Sequence, residues 1–210
     1  MISLSEILHT IAQALMIPCL IILIILMAAA VWQVGDIVVE YIAERRKHKC
    51  DVPQLLKTIL GAGAEKLPAL IEESGLLRRQ KKALLELAES RGLPKDTLTA
   101  LAERLLATEE ARNARTTSIT DMIAKLGPMF GLLGTLIPLG PGIVALGQGD
   151  TVTLSESMNV AFDTTIAGVI SAAVASVISH IRKRWYNDDM VSLETLMEAV
   201  LEEVTSDVEG

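Results

Sequence analysis

Charged side chains divide the chain into long apolar runs and mixed segments. Between Glu6 and Asp36 lie 29 uncharged residues, centred on PCLIILIILMAAAVW (Pro18 to Trp32). A second run of 24 separates Lys125 from Asp150, and a third of 25 separates Glu156 from Arg182, broken only by Asp163. A helix crossing a hydrocarbon core roughly 30 Å thick needs about 20 apolar residues, and all three runs reach that length. The competing reading, three buried helices of a soluble bundle, requires a polar face on each; Leu20 to Val31 has none. The pattern predicts spans at 11–39, about 126–146 and 157–184.

Apolar periodicity continues outside these runs. Leu98, Leu101 and Leu105 have helical spacing, and nothing interrupts the chain from Pro94 to Gly127. One long helix over 94–146, containing the second span, is therefore expected. After the third span, Leu193, Leu196, Met197, Val200 and Val204 form one stripe, with Glu194, Glu198 and Glu202 on another. These acids read as a solvated helix face in preference to an acidic binding motif. Whether the acids of this tail face the basic RRQKK (Arg78 to Lys82) stays open. Pro53, Pro68 and Pro94, with Gly61, Gly63, Gly75 and Gly92, punctuate residues 51–120 and predict short helices joined by tight turns.

Charge gives the orientation. Of 19 Lys and Arg, 16 lie from Arg45 to Lys125 and three in Arg182-Lys183-Arg184. With three spans, every positive charge falls on one side, as the positive-inside rule requires. The expected organisation is an outside N-terminus at 1–10, a cytoplasmic insert at 40–93, an outside loop at 147–156 and an acidic cytoplasmic tail at 185–210. The basic run ERRKHK (Glu44 to Lys49) follows the first span, while Trp32 and Trp185 fall towards inner span ends, where interfacial aromatics sit. The first run is read as a span and not as a cleaved signal peptide: no positive region precedes it, it is too long, and basic residues follow it. The fold class expected is all-α: a polytopic membrane protein with three transmembrane helices, the second and third extended into a cytoplasmic helical bundle. The location expected is the cell (inner or plasma) membrane, in contact with lipid.

Composition narrows the function. Half of the residues are hydrophobic, which excludes a disordered chain, and a net charge of −7 argues against a nucleic-acid binder. Only two cysteines are present, Cys19 within a span and Cys50 on the reducing side, so a disulfide between them is not expected. His9, His48 and His180 stand apart, without the helix-face spacing of a metal site. No nucleophile elbow, HExxH, Walker loop or Cys-x-x-Cys occurs. An enzyme, a cofactor and a metal are not expected.

The candidate chemistry lies in the second and third spans. Gly127, Gly131 and Thr135 recur at spacings of four, with Gly134 beside the last. Ala161, Thr165, Gly168, Ala172, Ala175 and Ser179 follow one face of the third span. Small residues let backbones approach closely in lipid, so Gly127, Gly131, Gly134 and Gly168 are packing candidates, with a functional role equally open. Thr135, Thr165 and the adjacent Thr164 are candidate pathway-lining residues; a hydroxyl bonded back to its own helix is the plainer reading of any single threonine. Asp163 is an ionisable group within a span, which is expensive and a functional candidate. Interfacial solvation and subunit pairing stay open for it. Pro138 and Pro141 predict a kink or an early helix end.

Two segments carry a family resemblance: GPMFGLLGTLIPLGPG (Gly127 to Gly142) and AFDTTIAGVISAAVASVISHIRKRWYN (Ala161 to Asn187). Together with the order of spans and insert, they resemble the MotA/TolQ/ExbB proton channel family, in its TolQ/ExbB-like branch. Thr135 matches the threonine closing the second-span motif, and Thr165 the pore threonine of the third. The acidic residue that some ExbB-like members place five residues before that threonine is Val160 here, and Asp163 and the paired prolines depart from the family pattern. The resemblance implies a homopentamer around a dimer of a single-span ExbD/TolR/MotB-like partner, whose aspartate is alternately protonated. It implies an ion channel or motor subunit coupling a gradient, expected to be of protons, to mechanical work. The alternative is a non-conducting scaffold or receptor that assembles a partner helix.

Overall fold

The computed structural model describes residues 4–45 and 51–209. Arg46 to Cys50, with His48 and part of the basic run after the first span, lie outside the described residues. The elements in chain order are α1 (Leu4–Ala14), α2 (Met16–Glu40), a π-helical turn (Tyr41–Arg45), α3 (Val52–Ile59), α4 (Leu67–Glu73), α5 (Arg78–Glu89), α6 (Lys95–Gly147) and α7 (Thr151–Glu209). Among the described residues there is no strand, as the sequence predicted for an all-α chain. Among the described residues three helices are long and apolar enough to cross a membrane. Contacts divide the chain into two compact units, one of Met1–Ile37 with Thr117–Ile181, the other of Val38–Thr116 with Arg182–Gly210.

The first unit holds the apolar runs. The break between α1 and α2 falls at Leu15, three residues before Pro18. Proline lacks an N–H and is tolerated in a first helical turn, which places it near the start of α2. Leu26 and Ala30 of α2 pack with Ile123 of α6 and Ala175 of α7. The Cys19 thiol donates to the Phe130 carbonyl at 3.3 Å. Outward surfaces are apolar: Ile21, Ile24, Ile25, Leu132, Leu136, Ile166 and Ile170 are exposed, and Trp32 is 78% exposed. Water-soluble chains rarely carry apolar surface on this scale, so this unit is built for lipid.

Of the two outcomes expected at Pro138 and Pro141, the early helix end does not occur: α6 runs through both, and through Pro128, to Gly147. Ending a helix inside hydrocarbon would expose a full turn of unpaired backbone groups, a larger penalty than one missing donor per proline. Gln148, Gly149 and Asp150 make the connection, with Gly149 at φ +73°. The third long helix starts at Thr151, six residues before the expected span and inside the segment read as an outside loop. Its start is capped. Asp150 Oδ1 accepts from the N–H groups of Val152 and Thr153 at 3.2 and 3.1 Å, and Oδ2 accepts the Thr153 hydroxyl at 2.6 Å. The Thr153 hydroxyl and then its N–H hold the Asp150 carboxyl below the usual range. A depressed acid stabilises the folded state above its ordinary pKa and loses that contribution as pH falls through the lowered one. Protection of the Val152 and Thr153 amides from exchange, taken relative to the intrinsic rate at each pH, is therefore expected at neutral pH and to fall on acidification; Asp150→Ala is expected to abolish that dependence.

The second unit contains the insert, α6 up to Thr116 and α7 from Arg182. Asp51 caps α3, accepting from the Gln54 N–H, with Pro53 in the first turn. Gly63, at φ +75°, reverses the chain before α4, and its N–H donates to Glu203 Oε1 at 2.9 Å. The Gln80 amide of α5 bonds the Asp189 carbonyl of α7 at 3.0 Å. The predicted stripe Leu193, Leu196, Met197, Val200 and Val204 is wholly buried and packs with Leu67, Ile71, Leu84, Leu87 and Leu98. Glu194, Glu198 and Glu202 are exposed. The basic residues Arg78, Lys81 and Lys82 share a shallow surface depression with Glu72, Glu86 and Glu89.

The end of α2 joins α7 in the same unit through a charged cluster. Arg182 is 1% exposed, and its Nε donates to Glu40 Oε2 at 3.1 Å. Tyr186 also bonds Glu40; burial first, then the Glu40 charge, pushes its phenol up to about 12. Tyr41 and Trp185 stack beside it with ring centroids 6.2 Å apart.

Candidate functional site

The candidate residues gather where α6 and α7 cross within the first unit. The helices run antiparallel and meet backbone to backbone. A Cβ on Gly127 would stand 2.6 Å from the Gly168 carbonyl oxygen, and one on Gly168 would stand 2.5 Å from that of Gly127 and 2.9 Å from the Gly131 Cα. A Cβ on Gly134 would meet Thr164 Cβ at 2.7 Å. Further along, Gly142 faces Ser157. Gly127, Gly131, Gly134 and Gly168 thus all lie where the two helices approach most closely. Their spacing turns one glycine edge of α6 towards the small-residue edge of α7, where dispersion and close approach stabilise the pair without a hydrophobic effect.

The threonines occupy different positions on this seam. Thr164 is 4% exposed, wedged against Gly134, and its hydroxyl donates to the Val160 and Ala161 carbonyls at 3.0 and 2.9 Å. Thr135 and Thr165 are half-buried at the margin of the seam. Their hydroxyls donate to the carbonyls of Leu132 and Ala161 at 2.6 and 3.2 Å. Each oxygen has acceptor capacity beyond that bond. The antiparallel register set by Gly131 against Thr164 and Thr165, and by Gly142 against Ser157, brings Thr135 to the level of Thr165. Asp163 lies on another side of α7. It is exposed between Phe162 and Ile166, one helical turn from exposed Asn159.

Further from the glycines, Thr117 and Thr120 of α6 and Ser171 and Ser179 of α7 are buried. The Ser179 hydroxyl donates to Asp121 Oδ1 across the helix pair. Ser179 belongs to the stripe read from sequence. Asp121 does not, because its carboxylate precedes Lys125 and so falls outside the apolar run. A sequence signal exists nonetheless: Asp121 and Thr135, and likewise Thr165 and Ser179, are 14 residues apart. Fourteen residues are nearly four turns, so each pair lies within about 40° of one helix face. Among the described residues no cluster of His, Cys, Asp and Glu has the arrangement of a metal site.

A largely apolar exterior around a glycine-packed helix pair, lined at its edge by hydroxyls, defines a polytopic helical membrane protein. The chain belongs to the MotA/TolQ/ExbB proton channel family, which matches residues 72–195 and so takes in α5, all of α6 and α7 as far as Thr195. No curated protein matches the chain.

Proposed function

We propose that the chain is the channel-forming subunit of an ion-driven motor, coupling a proton gradient across the cell membrane to mechanical work through a single-span partner of the ExbD/TolR/MotB type. The observation that carries this reading is the matched pair Thr135 and Thr165, half-buried at one level of the α6–α7 seam within the family match. In a pentamer these positions recur around a central path occupied by a dimer of the partner. Their hydroxyls then stabilise the charged form of a partner carboxylate, whose ionisation in a low-dielectric site is otherwise unfavourable. Protonation removes that penalty and permits movement. Thr164, fixed against Gly134, sets the spacing of the two helices, and Asp163 faces a neighbouring copy. The N-terminus lies outside and the basic segments lie in the cytoplasm, as their one-sided distribution favours.

Hydrogen bonds to charged groups contribute about 1.5–3 kcal/mol, and 1.4 kcal/mol is about tenfold. Thr135→Ala and Thr165→Ala are therefore each expected to lower ion-driven output at least ~10-fold, with the oligomer intact by native mass spectrometry. Wild-type output from both variants would instead favour a non-conducting scaffold that holds a partner helix.

A further inference from the structure

We infer that the stretch of α6 lying in the second unit, residues 95–116, docks on the same stretch of the next copy of this chain, the acidic edge of one helix against the arginine edge of the other. The inference rests on the ring of copies in the proposed function and adds to it a surface, outside the apolar spans, through which neighbouring copies meet.

Charge on this stretch is sorted around the helix. Leu98 and Ala102 are buried in the core of the unit and mark the inner side. At about 100° per residue, Ala100, Ala107 and Ala111 lie on the opposite side, and all three are exposed. Asp96, Glu103 and Glu110 fall along one margin of that alanine strip at a spacing of seven residues. Arg104, Arg112 and Arg115 fall along the other margin, about 130° around the helix from the acids. All of these charged side chains are exposed. A solvated helix face ordinarily mixes its signs and ties them at spacings of three and four. Here no acid of the edge has a Lys or Arg at either spacing. Asp96, Glu103, Glu110 and Arg104 make no ion pair among the described residues. Arg112 holds Glu109 of its own helix at 3.1 Å, yet its side chain stays 56% exposed.

A second copy supplies the complement. Copies in a ring are related by rotation about one axis, so equal positions lie at equal heights. Glu103 of one copy then stands beside Arg104 of the next, and Glu110 beside Arg112, with offsets of only about 1.5 and 3 Å along the helix. The directions agree as well. Each helix in a ring of five has its two neighbours about 110° apart, close to the separation of the acidic and arginine edges. That arrangement turns the alanine strip towards the ring axis, where small side chains let the helices approach. It leaves the core around Leu98 on the outside. Unlike edges meeting head to tail close a ring, and charges flanking such a seam fix the partner and the register.

The test uses the complex purified with its native partner. Glu103→Arg with Glu110→Arg makes both edges of every helix basic; the intact oligomer seen by native mass spectrometry is expected to fall at least ~10-fold at low salt. Adding Arg104→Glu and Arg112→Glu to the same chain exchanges the edges and is expected to restore the ring. Independently, Arg104→Lys gives the edge an amine that a carbodiimide joins to the Glu103 carboxyl of the next copy. The expected result is a ladder of covalent oligomers, which Glu103→Gln in the same chain removes. Rings with reversed acids that are as stable as wild type overturn the surface and leave the proposed function standing. Absence of both the recovery and the ladder, or a Glu103 cross-link to a different protein, overturns it as well. A wild-type chain that forms no ring overturns the proposed function itself.

Discussion

Gly168→Ala is expected to push α6 and α7 apart and to destabilise the complex by about 1–3 kcal/mol, the usual effect of overpacking. The added methyl would stand 2.5 Å from the Gly127 carbonyl oxygen and 2.9 Å from the Gly131 Cα. Both are backbone atoms, so no side chain can swing aside. Gly140→Ala is the matched control. Its Cβ meets nothing within 4 Å, and alanine favours the helix over glycine. Thermal unfolding of the detergent-solubilised oligomer should therefore separate the two: a clear drop for Gly168→Ala, none for Gly140→Ala. Equal behaviour would mean that the seam is not backbone contact.

Arg182→Ala is expected to cost about 3–5 kcal/mol, because it leaves the Glu40 carboxylate with its main cationic partner removed. Glu40 sits at 17% side-chain exposure against an arginine at 1%, so little water is available to either charge. Replacing both residues by methionine should restore most of the loss, since an apolar pair of similar volume avoids both desolvation penalties. Trp185, stacked on Tyr41 beside this cluster, provides the readout through its fluorescence. If the double variant is no more stable than Arg182→Ala, Arg182 acts through packing of its stem and not through its charge.

The fold was legible wherever one periodicity governed a segment. Leu193, Leu196, Met197, Val200 and Val204 repeat at helical spacing, and burial follows directly from that repeat. The apolar runs were equally plain, because crossing lipid imposes a length and forbids charge. Relations across the chain were not legible. Glu40 and Arg182 are separated by 142 positions, and nothing local marks either as a partner. Thr164 and Thr165 are neighbours in sequence, yet 100° around a helix puts one against Gly134 and leaves the other at the margin. Which of two adjacent threonines faces a groove depends on the angle of a second helix, and no single segment encodes that. The start of α7 was missed for a different reason: Asp150 and Thr153 form a capping pair, but a reading based on charge treats the same aspartate as the edge of a loop.

The three prolines within α6 have one more effect. Pro128, Pro138 and Pro141 have no amide hydrogen, so the carbonyl oxygens of Ala124, Gly134 and Ile137 lack their ordinary donor one turn ahead. Two of those oxygens flank Thr135. An otherwise greasy rod thus carries electron-rich acceptors of its own beside Thr135, and polarity enters this part of the helix through its main chain without any added charge.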